Sequence, residues 1–164
     1  MTLMSAASPD LGSPLPETRS QYAALCWRLD AGRVQVLLIT SRDTGRWVIP
    51  KGWQVEGLSP AQSAAREAFE EAGVRGAVSD ASLGHYHYDK ALCRRPGRED
   101  HVTCVMTVYP LQVADLASRF PERGQRKRKW FAPEKAARRV AEPELRALLA
   151  GFVPPPAGIA APAS

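Results

Sequence analysis

The 164-residue chain is short of the residues that build covalently or metal-stapled folds. Its three cysteines, Cys26, Cys93 and Cys104, are too few and too scattered for a disulfide scaffold or a zinc cage. Cys26 and Cys104 lie in apolar, strand-like runs and read as reduced core residues of an intracellular protein. Histidine is equally scarce. His85 and His87 alternate as in a strand and share one face, but with His101 elsewhere no third ligand stands near them in sequence. No run approaches the roughly 18 apolar residues of a membrane span. The N-terminus lacks the basic and apolar regions of a secretory signal, so the expected location is the cytoplasm. There is no internal repeat. What remains is an ordinary globular mix, 45% hydrophobic and 24% charged, long enough to bury roughly two-thirds of its unfolded surface without staples. Basic residues outnumber acidic ones, 22 to 17, for a net charge of +5. That points to an anionic partner without choosing among nucleic acid, phosphorylated small molecules and acidic membrane.

Residues 1–18 carry three prolines and little periodicity, and residues 153–164 are mostly Pro, Ala and Gly; both read as tails around one domain, 19–152. Tyr22–Leu29 and Arg33–Thr40, joined by Asp30-Ala31-Gly32, predict paired strands. Trp47–Ile49, a stretch from Ala77 to Asp89, the run His101–Val113 and Arg128–Ala132 predict further strands. Ser59–Ala72, Pro133–Val140 and Glu142–Ala150 predict helices. Strands and helices mix without regular alternation, which favours an α/β class with helices packed on a mixed sheet.

The chemistry concentrates in the helix beginning at Ser59. Ser59-Pro60-Ala61-Gln62 is a capping box with proline in the first turn, and Gly73 is its stop. At about 100° per residue, Ala61, Ala65, Ala68, Phe69 and Ala72 form one arc. Glu67, Glu70 and Glu71 form the opposite arc, expected to face solvent. Three carboxylates on so short a face repel one another, and a hard divalent cation such as magnesium, or manganese, would relieve that repulsion. The bland alternative is a solvated acidic face. Before the helix, Pro50-Lys51-Gly52-Trp53 is a tight turn whose glycine lets backbone approach a ligand.

Gly52, thirteen intervening residues, and then Arg66-Glu67-Ala68-Phe69-Glu70-Glu71-Ala72-Gly73-Val74 resemble the signature of the Nudix hydrolase family. One position departs: Leu58 stands where the family has a glutamate, with Glu56 two residues earlier. The resemblance implies an α/β/α sandwich holding a loop–helix–loop metal site, and attack of water on a diphosphate. It implies magnesium held by Glu67, Glu70 and Glu71 with the Gly52 carbonyl. Arg66 would orient the carboxylates through Glu70, and one glutamate, or another from a later loop, would be the general base.

Outside that box, Thr40–Pro50 and Gln125–Phe131 resemble the hydrolases of diphosphoinositol polyphosphates and diadenosine polyphosphates within the family. The implied substrate-binding set is Arg19, Arg42, Arg46, Lys51, Trp53, Arg98, Arg126 and Arg128. Five cations fall between Arg123 and Lys129, and Arg94, Arg95 and Arg98 add three more, which suits a highly phosphorylated small molecule. The run also reads as a solvated edge strand. Nucleic acid is disfavoured as a partner, since Trp130-Phe131 is a single aromatic pair. Glu142-Pro143 offers an acid where the inositol enzymes tend to have a base, which favours dinucleoside polyphosphates. The expected protein is a monomer or homodimer. A non-catalytic phosphometabolite-binding module, and a hydrolase of nucleoside triphosphates or capped RNA, are the competing readings.

Overall fold

Residues 17–88 and 102–155 are described by a computed structural model. Within Arg33–Thr40 (β2), Val36, Leu37, Leu38 and Ile39 are all buried, so this strand is covered on both faces. It forms an antiparallel hairpin with Glu17–Asp30 (β1), pairing Trp27 with Val36 and Asp30 with Arg33. β1 also runs parallel to Val102–Leu116 (β7), from Glu17 opposite Val102 to Trp27 opposite Gln112. The first strand therefore begins two residues before the expected domain start. Trp47–Val48 (β3) pairs with the end of β2, and Arg128–Phe131 (β8) pairs with its middle. Val74–Val78 (β5) and Gly84–Tyr88 (β6) both pair antiparallel with β7. One connection was not foreseen: Lys51–Gly52 (β4), read as a turn, pairs with Tyr22 and Ala23 of β1. Two residues carry too short a pattern to announce a strand.

The sheet is mixed and packs helices on both faces. Pro60–Ala72 (α1) sets Ala61, Ala64, Ala68 and Ala72 against Ala24, Cys26, Leu37 and Ile39. On the other face Pro133–Arg139 (α2) and Pro143–Ala150 (α3) place Ala136, Leu145 and Leu149 against Leu25, Val36, Leu38 and Met106. Alternate residues of each central strand thus feed two separate cores, the α/β/α arrangement. Each fully buried leucine contributes about 1.5–3 kcal/mol. No helix among the described residues is long and apolar enough to cross a membrane.

Two expectations are corrected here. Cys26 is a free, buried thiol, its ionisation pushed up by burial and by the nearby Glu71 carboxylate. Cys104, equally buried, is disulfide-bonded and not reduced; an apolar strand position suits a half-cystine as well as a thiol. On α1, Phe69 is only half-buried, whereas Glu71 is buried at 9% exposure. The alanine face lies so close to the sheet that its flank, including Glu71, is covered too. The expected tails and the basic stretch with Arg94, Arg95, Arg98 and His101 lie outside the described residues, apart from the backbone at 17–18 and residues 153–155.

Candidate active site

Helix α1 starts and stops as its sequence dictates. The Ser59 hydroxyl accepts from the Gln62 N–H at 3.1 Å, and the Ser59 N–H donates to Gln62 Oε1 at 3.0 Å. Gly73 ends it at φ 71°, a left-handed cap whose N–H donates to the Phe69 carbonyl. A side chain at Gly73 would meet the Phe120 ring and the Arg128 guanidinium. Ser63, fully buried, accepts from the Val55 N–H at 2.9 Å and so holds the preceding loop against the helix.

This frame sets Glu67 and Glu71 beside β4, with Glu70 next to them on the helix. The Glu67 carboxylate lies over Gly52 so closely that an added Cβ would sit 2.4 Å from Glu67 Cδ. Glu71 accepts from the Lys51 N–H at 3.4 Å, and Glu67 and Glu71 share a hydrogen bond. Burial drives the Glu71 carboxyl up to about 8, against the pull of Arg126 and Lys51 and with the push of Glu67 and Glu122. Glu67 is raised for the same first reason, burial. Glu70 is more exposed and pairs with Arg66 across one turn at 3.9 Å, as the spacing suggests.

A fourth carboxylate joins them from a distant loop. Glu122 donates its N–H to the Glu70 carbonyl at 3.0 Å, and its side chain accepts from Arg126 Nε at 3.0 Å. Arg126 also reaches the Thr40 carbonyl at 3.2 Å and stands 3.9 Å from Glu71. Sequence reading placed a further glutamate in some later loop without naming it; the four-residue spacing of Glu122 to Arg126 was its only local signal.

Beside these acids a pocket of about 130 Å³ is lined by Ser41, Arg42, Asp43, Thr44, Arg46, Lys51 and Arg126. Four of the expected substrate-binding cations therefore meet here. Arg42 donates to Gln125 Oε1 at 3.1 Å, linking the two loops that flank the pocket. Arg46 is held by Glu142 at 2.7 Å, from the turn between α2 and α3. The others lie elsewhere. Arg128 donates to the carbonyls of Ala72 and Ala117 and stacks on Phe120, tying β8 to the end of α1. Trp53 packs half-buried on the core of the α2–α3 face. Arg19 is half-buried in β1, opposite Cys104. Arg98 lies outside the described residues. Leu58 lines a groove with Gln62, Arg66 and Phe69, on the side of α1 turned from Glu67 and Glu71. His87 is bonded to Glu144 at 2.8 Å and takes no part in the site.

Among the described residues no three His, Cys, Asp or Glu side chains converge closely enough to enclose a metal ion. The donors are nevertheless those of a hard cation: two carboxylates whose ionisation burial holds back, over a backbone cleared by glycine. Carboxylate donors such as Glu67, Glu70 and Glu71 are the class that magnesium or manganese takes.

A short β-strand, a glycine and a capped helix set acids beside a cationic pocket on an α/β/α sandwich. The model of the NUDIX domain matches residues 19–152, and the chain belongs to that family. It is 35% identical over 125 residues to Nudix hydrolase 16, mitochondrial, of Arabidopsis thaliana, covering 75% of this chain and 68% of that one. It is 30% identical over 120 residues to diphosphoinositol polyphosphate phosphohydrolase 3-beta of Bos taurus, covering 72% and 66%. Across the first curated relatives the chain spans 51% to 68% of their length. The fold superposes on the Ap4A hydrolase of C. elegans with a TM-score of 0.57 at 20% identity, covering 81% of this chain and 94% of that one.

Proposed function

We propose that this chain hydrolyses a phosphoanhydride bond in a small, highly phosphorylated molecule, with a dinucleoside polyphosphate as the favoured substrate. The observation that carries the reading is the adjacency of Glu67, Glu70, Glu71 and Glu122 to the pocket of Arg42, Arg46, Lys51 and Arg126. Arg42 and Lys51 hold phosphoryl oxygens at the pocket mouth. Arg126 keeps Glu71 and Glu122 in place and offsets their charge. Without a metal, burial keeps a proton on Glu71 near neutrality, and metal binding would release it. Bound magnesium supplies charge neutralisation at the phosphate and a water of lowered pKa.

The Arg46–Glu142 pair supports the dinucleoside reading over a diphosphoinositol polyphosphate. It neutralises one pocket cation, and about 130 Å³ suits one or two phosphoryl groups of a chain better than a ring bearing many. The second reading rests on the 30% identity to a protein named for diphosphoinositol polyphosphates. A panel of diadenosine tetraphosphate, a diphosphoinositol polyphosphate, a nucleoside triphosphate and capped RNA, assayed with magnesium and read by product mass, decides among them. Highest kcat/KM on diadenosine tetraphosphate supports the proposal. Tight binding of every compound without turnover means a phosphometabolite-binding module, and highest kcat/KM on any other compound reassigns the substrate.

A further inference from the structure

A second cationic cavity lies on the far side of β8. Successive residues of a strand point to opposite faces. Arg128 accordingly reaches α1, while Lys129 emerges toward α2, where Leu38 and Phe131 belong to the other core. There a cavity of about 460 Å³ is lined by Lys129, Phe131, Glu134, Lys135, Arg138 and Arg139. That volume lies within the range of small-ligand sites. Four cations face it and one carboxylate.

These four cations outnumber the one carboxylate, Glu134, in the lining. Among the described residues, Lys129, Lys135, Arg138 and Arg139 form no ion pair. Lys129 and Arg139 instead crowd the same buried ring, with Nζ 5.4 Å and Cζ 5.5 Å from the Phe131 centroid. Arg138 and Arg139, in the last turn of α2, are favoured by the helix dipole. That leaves Lys129, on the strand, and Lys135, in the first turn, where the same dipole opposes a positive charge. These four side chains are solvent-exposed, so their mutual repulsion is screened but adds up on one face, and a bound anion relieves it. Trp130 also lines the cavity, half-buried with Arg28 over its ring at 4.0 Å, and Phe131 is buried, so the cations rather than an open aromatic face dominate the lining. The ligand is then a compact polyanion.

We propose that the β8–α2 cavity is an accessory site for a short phosphate chain of three to four charges, separate from the acidic site on the α1 face. The class covers inorganic pyrophosphate and tripolyphosphate, and the free phosphate end of a larger metabolite.

The test uses inorganic tripolyphosphate as probe, on the full chain in EDTA, where hydrolysis is silent. Binding is read by calorimetry and by thermal shift. Lys135→Ala/Arg138→Ala removes two exposed cations and is expected to lower affinity about 10-fold or more in moderate salt. Arg42→Ala/Lys51→Ala removes tripolyphosphate held in the α1-side pocket and is expected to leave a remaining site whose affinity is within about 2-fold of the parent's. Hydrolytic kcat of Lys135→Ala/Arg138→Ala with magnesium is expected to stay at the parent value. The opposite pattern, with affinity lost in the Arg42/Lys51 variant and kept in the α2 variant, overturns the proposal. So does an absence of tripolyphosphate binding, or single-stranded RNA binding at α2 that tripolyphosphate does not displace. These outcomes concern a phosphate chain bound without turnover, so they leave the catalytic reading to its own assay.

Discussion

Gly52 and Glu67 occupy space that permits no side chain between them: a Cβ on Gly52 would stand 2.4 Å from Glu67 Cδ and 2.7 Å from Glu67 Oε2. The backbone of β4 and the first carboxylate of α1 are therefore one unit. Gly52→Ala should displace Glu67 and lower both magnesium affinity and kcat, by about 10- to 100-fold in affinity. Magnesium titration of activity, with circular dichroism to confirm the fold, checks this. A variant with unchanged affinity and rate would separate Glu67 from the metal role.

Glu71 links stability to pH. Its carboxyl titrates near 8 when folded and near the ordinary 4.5 when unfolded. Between those values the folded state binds the extra proton, so stability falls as pH rises and the loss is complete above about pH 8. With the interaction with Glu67 shared, that loss is on the order of 2–4 kcal/mol. In EDTA, Glu71→Gln should therefore melt above wild type at pH 8 and level with it near pH 4.5. Magnesium should raise the wild-type Tm at pH 8 and leave the variant unmoved. A variant less stable than wild type at pH 8 would show that the carboxylate is accommodated at no cost.

Arg42 and Arg128 have one sequence signature and two occupations. Arg42 lines the pocket beside the acids, whereas Arg128 donates to the Ala72 and Ala117 carbonyls. Arg42→Ala should raise KM for diadenosine tetraphosphate about 10-fold with little change in Tm. Arg128→Ala should instead cost about 1–3 kcal/mol of stability with KM nearly constant. Urea denaturation alongside steady-state kinetics separates the two, and exchanged phenotypes would refute the assignment.

Glu142 and Arg46 meet across 96 residues of sequence, at 2.7 Å, with Glu142 nearly buried. Replacing the carboxylate by an amide in Glu142→Gln leaves the guanidinium without its counter-charge. The expected outcome is a loss of about 1–3 kcal/mol in stability and a several-fold shift in kcat/KM toward the more highly phosphorylated substrate of a pair. An unchanged preference between diphosphoinositol and diadenosine compounds would place Arg46 outside substrate selection.

The helix and its metal-type acids were legible because they are local. Ser59, Pro60, Gln62 and Gly73 mark its ends by rules that need no tertiary information, and Arg66 to Val74 carry the family pattern contiguously. Tyr22–Leu29 and Arg33–Thr40 were legible as apolar runs, whereas the stretch from Ala77 to Asp89 resolves into β5, which starts earlier at Val74, and β6. What sequence could not provide was the use of each cation. Arg42, Arg46, Lys51, Arg126 and Arg128 look alike in a string of letters, and only the fold sends Arg128 under α1, Arg126 to Glu122 and Arg46 to Glu142. Glu122 was illegible for the same reason: its neighbours Pro121 and Arg123 say turn, and nothing local places it beside Glu70. Leu58, the one departure from the family pattern, lines the outer groove with Phe69, away from Glu67 and Glu71.

The central claim, that acids on α1 drive hydrolysis of a phosphoanhydride, is tested most directly at Glu70. Its side chain is 37% exposed, so its replacement disturbs the fold little. Turnover of diadenosine tetraphosphate by wild type and by Glu70→Gln should be compared at saturating magnesium, with products weighed by mass and both proteins shown to share one Tm. The account predicts magnesium-dependent cleavage by wild type and a fall in kcat of about 100-fold or more in the variant. Equal turnover by the two proteins would contradict it.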